Sequence, residues 1–399
     1  MDAKAAARER LEGERERLIA LSHRIHANPE LAFEEERAAT WLCEALAAAG
    51  FAVERGLGGL PTAFVARAGR GPLHLAFCAE YDCLPRIGHA CGHNLIAASA
   101  VGAGLAAARV ADDVGLTVSV IGTPAEESGG GKILLLERGA FAGVHAALMV
   151  HPAPVDVLAA PFLAMQELHV RYTGREAHAS AFPEHGINAA DALTVAQVAL
   201  GLLRQHLRAT DRVHGIVTKG GDAPNVVPGS TAAEYYVRAR SLEDLAEVRA
   251  KVIRCFEAGA LATGATLDLA AEAPYAEVHH DAELAALYRR NAEALGRTFP
   301  DLGPILDRSA GSTDMGNVSL ALPAIHPLIG IASLPAVNHQ PEFAAHCITP
   351  TADRALLDGA LALAWTAIDA ALTPALAARL AARAAASTGA RQSARESTK

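Results

Sequence analysis

Glu80–Asn94, which reads Glu-Tyr-Asp-Cys-Leu-Pro-Arg-Ile-Gly-His-Ala-Cys-Gly-His-Asn, constrains the fold more than any other stretch. Before it lies Leu73–Cys78, an apolar run with the length and bounds of a buried strand. After it, the Ala-rich run Leu95–Ala108 reads as a buried helix. Acids and imidazoles are therefore gathered where a strand stops and a helix starts. In open α/β sheets, ligands bind in that crevice. Cys91 and His93 flank Gly92, which frees the backbone to aim both side chains at one point. A thiolate and an imidazole so placed suit a borderline-soft cation such as zinc. On that pair alone, a buried thiol beside a helix-capping His and Asn94 is the stronger reading.

A chain of 399 residues is long for one core, so two domains are expected. Its net charge of −9, with no basic run interleaved with aromatics, argues against a nucleic-acid partner. The 6 Cys form no C-x-x-C pair and lie mostly in apolar surroundings, the habit of reduced thiols. Met1–Arg17 is charged and lacks the apolar segment of a signal peptide. No bulky apolar run reaches the roughly 18 residues a membrane span needs. A soluble cytoplasmic protein with no membrane partner is expected.

Along the chain, helices are predicted over 3–28 and 34–49, then neighbouring strands over 62–67 and 73–78. Further strands follow at Leu116–Ile121 and Ala146–Val150, the first leading through Glu126-Glu127 into a helix and the second ending on His151. Strand, helix, strand, helix, strand is an α/β core with a mainly parallel sheet. Three successive strand ends thus bring Cys91/His93, Glu126/Glu127 and His151 to one edge. The pattern then changes to β-α-β-β-α-β, the split βαβ order of a ferredoxin-like α+β domain. It is inserted over 163–277, because the first pattern resumes afterwards; 1–162 and 278–399 form the larger domain. The Ala/Arg/Ser-rich tail beyond Pro374 is expected to be a fraying helix that loses order.

Each chemical group has two readings when taken singly. Adjacent carboxylates such as Glu126-Glu127 repel unless a cation or proton lies between them, so a metal explains their company. A helix N-terminus explains it equally well. Gly131-Lys132 is followed by Ile133, so a phosphate loop is excluded. No Gly-x-Ser-x-Gly elbow is present, and Gly311-Ser-Thr-Asp314 follows no clear strand. His151, His178 and His339 are each weak alone, and His346 competes with His339. Cys91 as a nucleophile stays open, since a Cys beside a His has a lowered pKa. Counting favours metal: Cys, His, Glu, His and a distant His exceed what a Cys–His mechanism needs, and match two cations sharing five side chains.

In order through residues 20–340, a series of segments resembles the aminoacylase and carboxypeptidase family of di-zinc exopeptidases, most of all its amidohydrolase branch. The matching pieces are His23-Arg-Ile-His-Ala-Asn-Pro-Glu-Leu, Ala79-Glu-Tyr-Asp-Cys-Leu-Pro, His89-Ala-Cys-Gly-His-Asn94, Thr123-Pro-Ala-Glu-Glu127 and Val150-His-Pro. Later ones are Ala177-His-Ala-Ser, Gly186-Ile-Asn-Ala-Ala-Asp, Asn225-Val-Val-Pro, Gly311-Ser-Thr-Asp-Met-Gly and Asn338-His. The resemblance implies a zinc-exopeptidase-like catalytic domain interrupted by an inserted lid and dimerisation domain, and a homodimer. It implies Cys91, His93, Glu127, His151 and His339 as metal ligands, with Cys91 placed to bridge. Glu126 would be the general base, Asp82 would orient a ligand, His178 would polarise the scissile carbonyl from the inserted domain, and Asn225 would hold substrate. The cofactor implied is two divalent ions, with zinc favoured by the thiolate and manganese or cobalt able to replace it.

One residue departs from much of that branch, which has Asp where this chain has Asn94. The β-alanyl-lysine dipeptidase-like members share the Asn, and the change removes a negative charge near the metals. The expected function is metal-dependent hydrolysis of the amide bond in small N-acyl amino acids or dipeptides. Two alternatives remain at this point: a Cys91-nucleophile amidase, and a non-catalytic binder of small ligands on a degenerate peptidase scaffold.

Overall fold

The computed structural model describes residues 2–303 and 310–383, and it divides into two compact units, Met1–Pro161 with Val278–Lys399 and Phe162–Glu277. The first unit opens with α1 (Ala3–His26) and α2 (Glu36–Ala48). Next come β1 (Ala52–Arg55), β2 (Phe64–Gly69), β3 (Leu73–Ala79), α3 (His93–Ala108) and the single turn α4 (Ala111–Val114). They are followed by β4 (Leu116–Gly122), α5 (Gly131–Glu137), β5 (Ala146–Leu148) and β6 (His151–Ala153). β3 is buried at every residue but His74, as a strand covered on both faces must be.

The second unit contains β7 (Ala164–Thr173), α6 (Ala189–Leu203), β8 (Arg212–Lys219), β9 (Ser230–Ala239), α7 (Leu242–Thr263) and β10 (Thr266–Ala271). Its sheet runs β10-β7-β9-β8, with each neighbouring pair antiparallel. β7 and β9 alternate between buried and less buried positions, the latter half-buried throughout β9 and exposed only at Arg171 and Thr173 of β7, because α6 and α7 cover one face. Leu168, Val170, Tyr172 and Val237 form that inner face against Ala196, Leu200, Val252 and Phe256. β8 is one of the two edge strands, and Ile216 and Val217 on it are exposed.

The chain then returns to the first unit as α8 (Ala282–Glu293), α9 (Met315–Ala321), β11 (Ala324–Ile325), β12 (Leu328–Gly330), α10 (Pro341–His346) and α11 (Pro350–Ala371). The main sheet has the order β1-β2-β4-β3-β5-β11. Its β3/β4, β3/β5 and β5/β11 pairs are parallel, whereas β1/β2 and β2/β4 are antiparallel. β2 and β3 are not neighbours, contrary to the reading from sequence, because β4 lies between them. The short link between them can cross the start of β4 because Gly71 has no side chain: its N–H donates to Leu116 O at 3.0 Å, and an added Cβ would fall 1.8 Å from the Gly115 carbonyl carbon. The expected strand 146–150 is also interrupted, and His151 begins β6, which pairs with β12 outside the main sheet.

α3 is buried along almost its whole length, with α1 and α11 on one side and the sheet on the other. Its Ala and Gly content makes this close packing possible: a Cβ on Gly104 would meet Val120 Cγ2 at 2.4 Å. α5 and α9 cover the opposite face through Leu135, Met315 and Val318. A last helix spans Pro374–Arg383; the rest of the tail lies outside the described residues. Among the described residues no single helix is long and apolar enough to cross a membrane.

Candidate metal centre

Four chain segments of the first unit meet beyond the ends of β3 and β4. Gly92 is the N-cap of α3 in the left-handed region (φ 80°), and an added Cβ would lie 2.4 Å from Pro152 Cγ. Both the turn and the close approach of Pro152 thus require glycine, and they set Cys91 and His93 facing β6. After β4 the chain turns at Ala125 and presents Glu126 and Glu127. His151 starts β6. His339 is anchored through its own N–H, which donates to Ala90 O at 2.9 Å, while the Asn338 amide donates to Pro152 O at 3.1 Å.

These folds bring together every metal-ligating residue expected from the sequence. Cys91 Sγ lies 3.5 Å from Nε2 of His151 and 3.5 Å from Nε2 of His339. His93 Nε2 is 3.7 Å from Glu127 Oε1 and 3.9 Å from Glu126 Oε2, and His339 Nε2 is 3.7 Å from Glu127 Oε2. A tetrahedral zinc with its usual S and N bond lengths separates those donors by about 3.6 Å, so the cluster is spaced for cations. Two ligand triads can be drawn, Cys91/His93/His151 and Cys91/Glu127/His339, and Cys91 belongs to both. His93 Nε2 and Glu127 Oε1 are buried and, among the described residues, accept or donate no hydrogen bond. Inward-facing donors with nothing to bind suit a metal-binding pocket.

Asp82 organises this pocket from behind. Its carboxylate accepts the His93 Nδ1–H at 2.9 Å and the Glu127 N–H at 2.9 Å, fixing one imidazole and one acid at once. Burial works to raise the Asp82 pKa, but the His93 imidazole and these hydrogen bonds outweigh it and hold the carboxyl below its ordinary range. The same partner raises His93 well above the usual imidazole value in spite of burial. Glu126 is pushed well up by burial and by the neighbouring Glu80, Glu127 and Asp314. Burial brings His151 down to about 4, leaving it neutral with a free lone pair for a cation. Burial and Glu127 drive the Cys91 thiol well above its ordinary value, the reverse of an activated nucleophile.

Three residues here escaped the sequence reading. Glu80 Oε2 lies 3.5 Å from His93 Nε2, so Glu80, His93 and Glu126 form a third possible ligand group. Lys132 Nζ is 2.6 Å from both Glu80 Oε1 and Asp314 Oδ1, and all three side chains are fully buried. Glu80 and Asp82 share strand-like alternation, a signal that could have paired them. Lys132 and Asp314 are 182 positions apart and carried no such signal. Asn94 turns away from the pocket, donating to Ser22 Oγ at 2.9 Å and Cys347 O at 3.2 Å. The missing charge at that position therefore faces the core.

His178 and Asn225 belong to the second unit, where both are exposed. They lie on adjoining segments: His178 bridges Val226, and the Ala179 N–H donates to Asn225 O at 3.0 Å. His178 Nδ1 accepts the N–H groups of Ser180 and Ala181 at 3.3 and 3.2 Å, which directs Nε2 outward.

Comparison with known proteins agrees with this architecture. Residues 165–263 match the family model of the peptidase dimerisation domain. The Xaa-Arg dipeptidase of Mus musculus is 42% identical over 388 residues, spanning 93% of this chain and 89% of the relative. One of the two chains of the p-aminobenzoyl-glutamate hydrolase of Escherichia coli K12 is 34% identical over 279 residues, 65% of this chain and 58% of its own. A dinuclear metal-binding peptidase of the M20 family from Bacillus subtilis superimposes with a TM-score of 0.69 at 22% identity, covering 91% of this chain and 99% of that one, a likeness of fold. Similarity to the mouse relative across nearly the whole of both chains shows that this chain belongs to the M20 peptidase family and is a hydrolase of the dipeptidase type.

Proposed function

We propose that this chain is a metal-dependent dipeptidase acting on small dipeptides with a basic C-terminal residue, with Cys91, His93, Glu127, His151 and His339 holding two divalent ions. The convergence of those five side chains around buried, unbonded donor atoms carries the proposal. Near-full-length similarity to a protein named as an Xaa-Arg dipeptidase supports the substrate class. A net charge of −9 favours the approach of a cationic substrate. Zinc is the ion we propose, since a thiolate belongs to both triads. When bound, such ions supply Lewis acidity, lowering the pKa of water and polarising the scissile carbonyl.

The protein groups supply the proton transfers and positioning. Glu126, whose carboxylate oxygen lies 3.9 Å from His93 Nε2 at the wall of the pocket, takes a proton from water and returns it to the departing amine. Asp82 keeps His93 in one tautomer and orientation. His178 and Asn225 act on the substrate from the inserted domain, His178 through its outward Nε2 toward the carbonyl oxygen. That domain joins a second copy of this chain through the β8 edge, where Ile216 and Val217 are exposed.

Glu126→Gln tests the reading. Turnover of an Arg-ending dipeptide is expected to fall by about 100-fold or more with metal content unchanged. Turnover unchanged in the variant would refute the assignment of the base, and hydrolysis confined to N-acyl amino acids would refute the substrate class.

A further inference from the structure

The turn that presents Glu126 and Glu127 is held from outside by a segment the reaction as described leaves without a role. Ala125, immediately before the two acids, is fully buried and has φ of 60°, one of five non-glycine residues in the left-handed region among the described residues. An alanine resists that conformation because its Cβ crowds the following carbonyl. Its N–H is taken by Glu35 Oε1 at 2.8 Å, and the Glu35 side chain is fully buried. Glu35 is the residue before α2, yet its side chain makes no capping bond to that helix. A carboxyl at a helix start ordinarily serves that helix; here it is buried and turned to another chain segment. Two residues earlier the Phe33 ring lies against Gly129, where an added Cβ would meet Phe33 Cε2 at 2.4 Å. Phe33 is itself in the left-handed region, at φ 64°. One short segment therefore grips both ends of the loop 125–129.

We propose that Phe33–Glu35 is a positioning clamp for the reaction, in which Glu35 locks the Ala125 peptide so that Glu126 and Glu127 face the metal pocket. Asp82 accepts the Glu127 N–H at 2.9 Å, so the backbone is pinned by one buried carboxylate just before Glu126 and by another at Glu127. Without the Glu35 acceptor, Ala125 relaxes toward negative φ and both acids swing away from His93. This inference rests on the reading of Glu126 as base and Glu127 as ligand.

The test compares Glu35→Leu, Glu35→Gln, the double variant Glu35→Leu/Ala125→Gly and the control Glu126→Gln. Each is assayed on an Arg-ending dipeptide as metal-loaded protein and titrated with zinc against a chromophoric chelator. Glu35→Leu is expected to lose about 100-fold in kcat with KM near the wild-type value, and to bind zinc more weakly. Glu35→Gln keeps an oxygen on the Ala125 N–H and is expected to retain most of kcat and zinc affinity. Glycine adopts the left-handed turn without a Cβ cost, so Ala125→Gly is expected to restore much of both losses in the double variant. A loss arising only from a weakened core would not be recovered that way. Wild-type kcat and zinc affinity in Glu35→Leu, or no rescue by Ala125→Gly, would overturn the clamp. Should Glu35→Leu not fold, Phe33→Ala removes the other grip, and unchanged kcat and zinc affinity in that variant would overturn it instead. An active Glu126→Gln would refute the base reading itself, whereas an inactive one beside a fully active Glu35→Leu refutes only the clamp.

Discussion

Replacing Lys132 by Met tests the electrostatics behind the pocket. The ammonium lies 2.6 Å from a carboxylate oxygen of Glu80 and 2.6 Å from one of Asp314, and none of the three side chains reaches solvent. Burial opposes its charge, but the two acids outweigh burial and raise its pKa. Methionine fills a similar volume, strips Asp314 of its cation and leaves Glu80, among the described residues, only the His93 imidazole at 3.5 Å. Removing one partner of such a group costs about 3–5 kcal/mol, because the stranded charges lose their compensation. For a unit of this size that is a fall in Tm of roughly 5–8 °C. Calorimetry of the chelated protein reads it, with the first transition followed because two units need not melt together. The deficit is expected to shrink in acid. Burial pushes the Asp314 carboxyl up to about 6, above its ordinary 3.8, and loss of Lys132 raises it further. Below about pH 6 it therefore takes a proton, and one of the two buried negative charges disappears. Lys132→Met/Asp314→Asn, with one acid removed at every pH, is expected to recover part of the loss at pH 8. A Lys132→Met protein within about 1 kcal/mol of wild type at pH 8 would refute this reasoning.

Three further outcomes are expected. Gly92→Ala costs about 1–2 kcal/mol for the left-handed turn, and its Cβ at 2.4 Å from Pro152 Cγ pushes Cys91 from His151; metal per chain should drop with Tm, and unchanged metal content would count against the geometry. Cys91→Ser removes the donor common to both triads, so competition titration should show zinc affinity falling relative to manganese. Burial, and then the Asp82 charge, push Glu35 up from 4.5 to about 7, so the folded chain holds this proton more tightly than the unfolded one and loses stability as pH rises between those values. Glu35→Gln should therefore be more stable than wild type above pH 7, by up to about 3 kcal/mol, with the gain fading toward pH 4.5; urea unfolding at both ends of that range decides it.

Much of this organisation was legible because it follows from local periodicity. The apolar run of β3 announces a strand covered on both faces, and the Ala-rich α3 a helix packed closely on several sides. Alternation along β7 and β9 announces a sheet covered on one face only. The ends of β3 and β4 could be placed on one edge because parallel neighbours run the same way. What escaped is what periodicity does not encode. Strand partners are one case: the link through Gly71 looks like a simple turn and instead crosses β4. The Glu80–Lys132–Asp314 group is another, since its members come from three segments and their common destination is a matter of tertiary packing. The orientation of Asn94 is a third. Its place beside His93 suggested a role at the metals, but the first turn of α3 points it toward Ser22 and Cys347.

Metal per chain, measured together with hydrolysis of an Arg-ending dipeptide as zinc is titrated back into chelated protein, bears most directly on the central claim. Activity is expected to be absent without metal and to climb to a plateau at about two equivalents, the number the two triads can hold. Hydrolysis that persists in chelator with no metal bound would contradict it.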